Sequence, residues 1–316
     1  MTRLRSLLFV PGNRAEMLAK AAGAAADVLL PDMEDSVPDA EKAAARETVA
    51  AFLPRLAGSG KLIVPRVNSL ATGWMEADLE AVVGPAIFGI SVGKIEAPGD
   101  VSAISKRLSE LETRAGLEAG RLKLIPWIET ARAIVHCYEI LTASARIAGA
   151  AFGAEDFTND MGVERIDEEW QLLHARAALC TAARAAGVPA LDTPYFKFRD
   201  LDGLRASSIA GKQLGFKGRF AIHPGQIATI NECFAPSAAE LEHARCVVAA
   251  YEEAERQGRA STSLDGRVID VPVVKRARAL LAGADASLAR ADASLAGADD
   301  SLAGADDSLA GADDSS

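Results

Sequence analysis

At 316 residues, 49% apolar and 25% charged, the chain has the make-up of a globular protein of one large domain or two small ones, which excludes a largely disordered chain. It has no run of 18 apolar residues, so no membrane span is expected, and the apolar stretch Leu7–Val10 is too short for the core of a signal peptide. Of the net charge of −10, −7 falls in residues 281–315 (eight Asp and one Arg), and the weakly acidic remainder offers no basic stripe for nucleic acid.

Short apolar runs recur along the body, and each ends in chemistry. The first expected strand, Ser6–Pro11, runs into Gly12-Asn13-Arg14 and a helix over Arg14–Ala25, with Asn13 as its N-cap. The second, Asp27–Pro31, leads into Asp32-Met33-Glu34-Asp35 and a helix over Ala40–Leu56. The third, Lys61–Val67, carries Arg66 and stops at Asn68. The fourth, Ala86–Val92, ends in Gly93-Lys94-Ile95-Glu96 before a helix over Ser102–Ala119. The fifth, Leu122–Ile128, ends at Glu129 before a helix over Thr130–Ala145. The sixth, Ile147–Phe152, ends in Gly153-Ala154-Glu155-Asp156, with a helix over Glu168–Ala186 after it. The seventh, Gly187–Leu191, precedes a helix over Asp202–Leu214, and the eighth, Arg219–Ile222, ends in His223-Pro224.

Apolar runs without polar alternation suit strands buried on both faces, and strands alternating with helices make parallel βα units. Eight such units over this length point to a (β/α)8 barrel. The competing architecture, a doubly wound open sheet, would want a GxGxxG fingerprint after a strand, and none is present. From Leu281 a seven-residue unit, LAGADAS and its variants, repeats five times to Ser315. One Leu per unit is a thin seam for a coiled coil, and four of the units carry a helix-weakening Gly. This tail is expected to be solvated and without stable structure, the alternative being a frayed continuation of the preceding helix. The four cysteines (Cys137, Cys180, Cys233, Cys246) show no metal-like spacing and read as free thiols of a cytoplasmic protein.

In a barrel the strand ends share one rim, where active sites lie. Glu129 and Asp156 end consecutive strands and so fall side by side. Two acidic oxygens with no nearby His or Cys suit a hard cation such as Mg2+, with helix capping as the alternative reading. Arg66 is the cation on the same rim: its fork could hold a carboxylate or a developing enolate, or pair with the Asp32–Glu34–Asp35 cluster, or do both. His136, His174 and His243 sit in helical segments and read as structural or solvated. Trp127 reads as packing.

The runs RSLLFVPGNR (5–14), LPDMEDSVPDAEKAAAR (30–46), VPRVN (64–68), IPWIETARAI (125–134), FGAEDFTNDMG (152–162), AIHPGQI (221–227) and VIDVPVVKRA (268–277) resemble the citrate lyase beta-subunit family. That family includes malyl-CoA and citramalyl-CoA lyases, within the wider HpcH/HpaI aldolase group. The resemblance spans residues 3–281. It implies a Mg2+-dependent (β/α)8 TIM barrel over residues 1–225 with a C-terminal helical extension over 226–280, the tail at 281–316 lying outside it. It implies a homotrimer or dimer of trimers. Glu129 and Asp156 become metal ligands, Glu129 also contacting substrate. Arg66 binds substrate, and Asp32, Glu34 and Asp35 hydrogen-bond metal waters and Arg66, the alternative for Glu34 being direct metal ligation. Asp270, by sequence alone a turn residue, becomes the general acid/base, on a lid that in relatives caps a neighbouring subunit's site. Asn13, Arg14 and His223 line a coenzyme A channel, although His223 by itself reads as structural. One departure is the second motif, PDMED, where relatives more often carry an acidic or small residue before the aspartate. The implied reaction cleaves or condenses a short dicarboxylic 3-hydroxyacyl-CoA, giving an α-keto acid and an acyl-CoA. The alternatives are a malyl-CoA thioesterase using the same site, or a citrate lyase beta subunit acting on an acyl carrier protein thioester.

Overall fold

In the computed structural model of the protein, which describes residues 2–285, the apolar runs pair in parallel, each with the next, until the sheet closes on itself. The strands are β1 (Ser6–Pro11), β2 (Val28–Asp32), β3 (Leu62–Ile63), β4 (Arg66–Val67), β5 (Gly89–Val92), β6 (Lys123–Ile128), β7 (Ala150–Phe152), β8 (Ala190–Asp192) and β9 (Gly218–Ala221). β1 bonds to β2 on one side and to β9 on the other, which completes an eight-stave barrel. β3 and β4 are two halves of one stave. Pro65, which has no N–H to donate, interrupts the expected Lys61–Val67 strand. The ladder carries on around it, because Val64 N–H donates to Leu29 O and Pro65 O accepts from Ser91 N–H.

The absence of hydropathy alternation follows from this closure. Leu7, Val28, Leu30, Val64, Ile125, Trp127, Leu191 and Phe220 form a core of their own inside the barrel. Their neighbours along the strands, such as Leu8, Leu29, Leu124, Ile128 and Phe152, pack outward in the larger core shared with the helices.

The helices of this unit are α1 (Ala15–Ala21), α2 (Lys42–Ala57), α3 (Met75–Val82), α4 (Pro98–Arg114), α5 (Ala131–Val135), α6 (Cys137–Thr142), α7 (Ala154–Asp160), α8 (Leu173–Ala186), α9 (Leu201–Leu214) and α10 (Ile227–Phe234). Several depart from the sequence expectation. α1 is shorter than Arg14–Ala25 and is flanked by Arg14, not capped by Asn13, whose amide is drawn 2.6 Å from Glu41 Oε2 instead. α4 starts four residues earlier than expected, at Pro98, because Pro suits a first turn and Asp100 accepts from the Glu96 and Ala97 N–H groups. The segment Thr130–Ala145 is broken at His136 into α5 and α6. α3 and α7 lie outside the six helical segments delimited from the sequence. α7 is a short helix that seats Phe157 against Phe152, ring centroids 5.8 Å apart.

Buried polar groups pin the connections. Glu112 takes both guanidinium arms of Arg146 at 2.8 and 2.6 Å, together with the N–H groups of Gly120 and Leu122, closing the link from α4 to β6. Burial works against the Glu112 charge, yet these donors pull its carboxyl down to about 2. At the end of β8, Asp192 accepts from Arg176 and Arg219, each at 2.6 Å.

This unit runs to Ala235, ten residues past the expected boundary at 225, because α10 packs on β1 and β9. A second compact unit begins at Pro236. It comprises α11 (Ala238–Arg256), a hairpin of β10 (Thr262–Leu264) and β11 (Arg267–Ile269) turned at Asp265-Gly266, and a helix over 271–285. Its core is Ala244, Val247, Tyr251, Ile269, Val274 and Ala277. Of the expected unstructured tail, residues 281–285 continue this helix, and the rest lies outside the described residues. All four cysteines are free, and none of the described helices is long and apolar enough to cross a membrane.

Candidate active site

Register sets the first half of the site. Asp32 and Arg66 are direct partners across the β2–β4 pairing, so both side chains stand at one mouth of the barrel. Arg66 grips Asp32 with two donors, Nε and Nη2, each at 2.7 Å. Its Nη1 reaches Asp35 at 3.0 Å and Glu34 at 3.2 Å. The guanidinium lies 4.7 Å above the Phe9 ring. The fork-to-fork pairing fixes the plane of the guanidinium. Burial of Arg66 opposes its charge, but the three carboxylates outweigh that and hold it protonated. Burial likewise disfavours charge on Asp32, and Arg66 reverses the balance, leaving Asp32 below its ordinary value. The ion pair with the acidic cluster is therefore present, and Arg66 faces the cavity at the same time.

The second half is a pair of carboxylates short of positive charge. Glu129 follows β6 and is 5% exposed. Its Oε1 accepts the Lys94 N–H at 2.6 Å, which Lys94 delivers from a left-handed conformation (φ 56°). Two glycines shape the space around it. A Cβ on Gly93 would stand 2.9 Å from Glu129 Oε1, and one on Gly153 would strike Glu129 Oε2 and lie 2.6 Å from its Cβ. Burial pushes the Glu129 carboxyl up to about 8, with Asp156 and Glu34 adding repulsion. Asp156, in the first turn of α7, is raised by burial and by Asp35. Glu34 is raised to about 7 by burial, Asp35 and Asp32, although Arg66 and Lys94 oppose the shift. Its Oε1 is buried without a hydrogen-bond partner. Lys42 donates to the Met33 and Glu34 carbonyls at 3.1 and 2.8 Å and steadies the loop.

An all-oxygen donor set, mutual repulsion and an orphaned carboxylate oxygen fit a hard divalent cation. Among the described residues no group of three or more His, Cys, Asp or Glu is arranged to hold a metal. The cavity at this mouth has a volume of about 360 Å³, with Phe9, Arg66, Trp127, Glu129, Asp156 and Thr193 among its lining residues. Trp127 packs on Phe220 at 4.4 Å and donates to Ser91 Oγ, in keeping with a packing role. A larger cleft of about 980 Å³ opens along α8 and α9. Its cations are spent on neighbouring carboxylates, Arg165 on Glu155 and Glu169, and Lys197 on Asp167.

Sequence reasoning places Asp32, Glu34, Asp35, Arg66, Glu129 and Asp156 on one rim, and the structure brings them together. Asn13 is bonded to Glu41, and Arg14 is exposed. His223 is exposed, accepts the Gly225 N–H at Nδ1 and lies 5.2 Å from the Phe198 ring. Asp270 belongs to the second unit, where its exposed carboxylate accepts the Val273 N–H at 3.3 Å at the head of the 271–285 helix. The residues that sequence reasoning missed are Gly93, Lys94, Gly153 and Thr193. Thr193 accepts the Ala154 N–H at 3.3 Å and so ties β8 to the start of α7. The available signal was a glycine placed directly at two strand ends that also carry acids.

Comparison with known proteins identifies the family and agrees with the barrel fold. The family model described as HpcH/HpaI aldolase/citrate lyase matches residues 5–224. The citrate lyase subunit beta of Escherichia coli K12 is 39% identical over 283 residues, which cover 90% of this chain and 94% of that protein. A (3S)-malyl-CoA thioesterase of Cereibacter sphaeroides KD131 is 35% identical, covering 89% of this chain and 95% of its own. The crystal structure of CitE from Mycobacterium tuberculosis, in complex with magnesium, acetoacetate and coenzyme A, superposes with a TM-score of 0.72 at 31% identity, over 88% of this chain and 96% of that one.

Proposed function

The chain belongs to the HpcH/HpaI aldolase/citrate lyase family, and from that premise we propose that it is a Mg2+-dependent carbon–carbon lyase acting on a short dicarboxylic 3-hydroxyacyl-CoA such as malyl-CoA or citramalyl-CoA. The observation that carries this reading is the buried Glu129, its carboxyl raised by burial and by the half-buried Asp156, on the same barrel mouth as Arg66. The pair would hold the ion, and the related CitE structure, in complex with magnesium, supports a divalent cation in this family. Bound there, Mg2+ supplies Lewis-acid stabilisation of charge developing on a substrate oxygen.

The chain's own residues do the rest. In the cleavage direction the Asp270 carboxylate takes the proton of the substrate hydroxyl, whose oxygen becomes the keto-acid carbonyl. The electron pair of the breaking C2–C3 bond moves onto the thioester as an enolate. Arg66, oriented by Asp32, Asp35 and Phe9, donates to the enolate oxygen. Removing one such donor costs about 3–4 kcal/mol of barrier. Asp270 then gives its proton to the enolate carbon, or takes it in the condensing direction. The second unit, which carries Asp270, acts as a lid in a homotrimer or dimer of trimers. Asn13 and Arg14 follow β1 and His223 follows β9. These strands are adjacent, and together the three residues line the entry for coenzyme A.

The thioesterase relative supports a second reading, in which the same site sends water to the thioester. The citrate lyase beta relatives support a third, in which the thioester is carried on an acyl carrier protein. Incubation with malyl-CoA, citramalyl-CoA and citryl-CoA, with and without Mg2+, separates them. Keto acid with acetyl-CoA supports the lyase, hydroxy acid with free CoA supports hydrolysis, and inertness toward all free CoA esters removes both.

A further inference from the structure

Lys94 stands at the end of β5 and has no part in the chemistry above. It is one of three non-glycine residues with positive φ among those described, a conformation that costs a residue with a side chain about 1 kcal/mol. The backbone task, giving an N–H to Glu129 Oε1, would be met at lower cost by Gly or Asn. What Lys adds is an ammonium group among carboxylates. Arg66 is committed to Asp32, Glu34 and Asp35, and Lys42 to the carbonyls of Met33 and Glu34. The Lys94 ammonium makes one long contact, 3.9 Å to Glu34 Oε1, and its side chain is 46% exposed. It is thus, beside the largely buried Arg66, the more exposed and less committed cation of this rim that an arriving solute can meet.

Resting on the lyase reading, we propose that Lys94 is a positioning and specificity residue. Its main chain sets Glu129, and its ammonium draws the carboxylate of the anionic substrate to the rim at the expense of affinity for the divalent ion. A fixed positive charge must act with opposite sign on the two ligands, repelling the cation and attracting the anion. A purely structural lysine would affect both in the same sense.

The test uses the full chain as wild type, Lys94→Asn and Lys94→Arg. Asn accepts the left-handed backbone and removes only the charge. Mn2+ uptake is followed by the spin resonance of the free ion, and pyruvate binding to the Mn2+-saturated protein by calorimetry. Lys94→Asn is expected to bind Mn2+ about tenfold more tightly and pyruvate about tenfold more weakly, the scale of one charge–charge interaction at the effective dielectric of a protein rim. Lys94→Arg should restore both. If either affinity fails to move in its stated direction, the proposal is overturned while the metal site stands. If the wild type takes up no Mn2+, the lyase reading fails, and the role of Lys94 with it.

Discussion

A neutral replacement of Glu129 should stabilise the metal-free protein while disabling the site. Burial and neighbouring acids raise this carboxyl from an ordinary 4.5 to about 8. A group whose folded value lies above its unfolded one contributes stability that is complete below about 4.5 and lost as pH rises through about 8. Above that window, holding the carboxylate charged in the folded protein costs about 3–5 kcal/mol. Glu129→Gln keeps an oxygen for the Lys94 N–H and removes the charge. At roughly 2–4 °C per kcal/mol for a unit of this size, its melting temperature in EDTA at pH 8.5 should exceed the wild type's by about 10 °C. At pH 5 most of this gap should be gone, about 1 kcal/mol of it remaining. Saturating Mg2+ should raise the wild type, by about 2.7 kcal/mol at a hundredfold excess over Kd, and leave the variant unmoved. Thermal melts by circular dichroism at both pH values read this directly. Parallel profiles for wild type and variant would refute the account of a strained carboxylate waiting for a cation.

Other substitutions probe the rest of the structure. Gly153→Ala places a methyl against the Glu129 side chain, and calorimetry should show Mg2+ binding weakened at least tenfold with the barrel still folded. Glu112→Gln removes a carboxylate held near 2, so the wild type's advantage, about 2–3 kcal/mol in urea unfolding at pH 7, should be present above about 4.5 and vanish as pH falls toward 2. Asp270→Asn should leave coenzyme A binding intact and slow turnover by at least a hundredfold, and wild-type rates would remove Asp270 from the mechanism. Mixing Asp270→Asn chains with Arg66→Ala chains should recover activity if sites are shared between subunits.

The barrel is legible in the sequence because a parallel sheet covered on both faces is written as unbroken apolar runs, and its rim is legible because charges collect at one end of those runs. Asp32, Arg66, Glu129 and Asp156 could be placed on one rim by strand order alone. What sets their state could not. The Lys94 N–H reaches Glu129 across 35 residues, and the clearance at Gly153 exists only once β6 and β7 are paired. Local rules also lost to distant partners. Asn13 has the right chemistry for a cap, but Glu41, 28 residues away, claims its amide. The seventh run ends against Asp192, to which the sequence alone assigns no role, yet this aspartate is fully buried and answers Arg176 and Arg219. Such pairs are invisible until helices and strands are packed.

The central claim is that Glu129 and Asp156 together hold the divalent ion on which bond cleavage depends. Keto-acid release from the preferred CoA ester, followed at stepped Mg2+ concentrations for the wild type, Glu129→Gln and Asp156→Asn, tests it most directly. A saturable Mg2+ dependence in the wild type, with both variants nearly inactive at every concentration, is the expected result. Full turnover of either variant, or of the wild type in metal-depleted buffer, would contradict it.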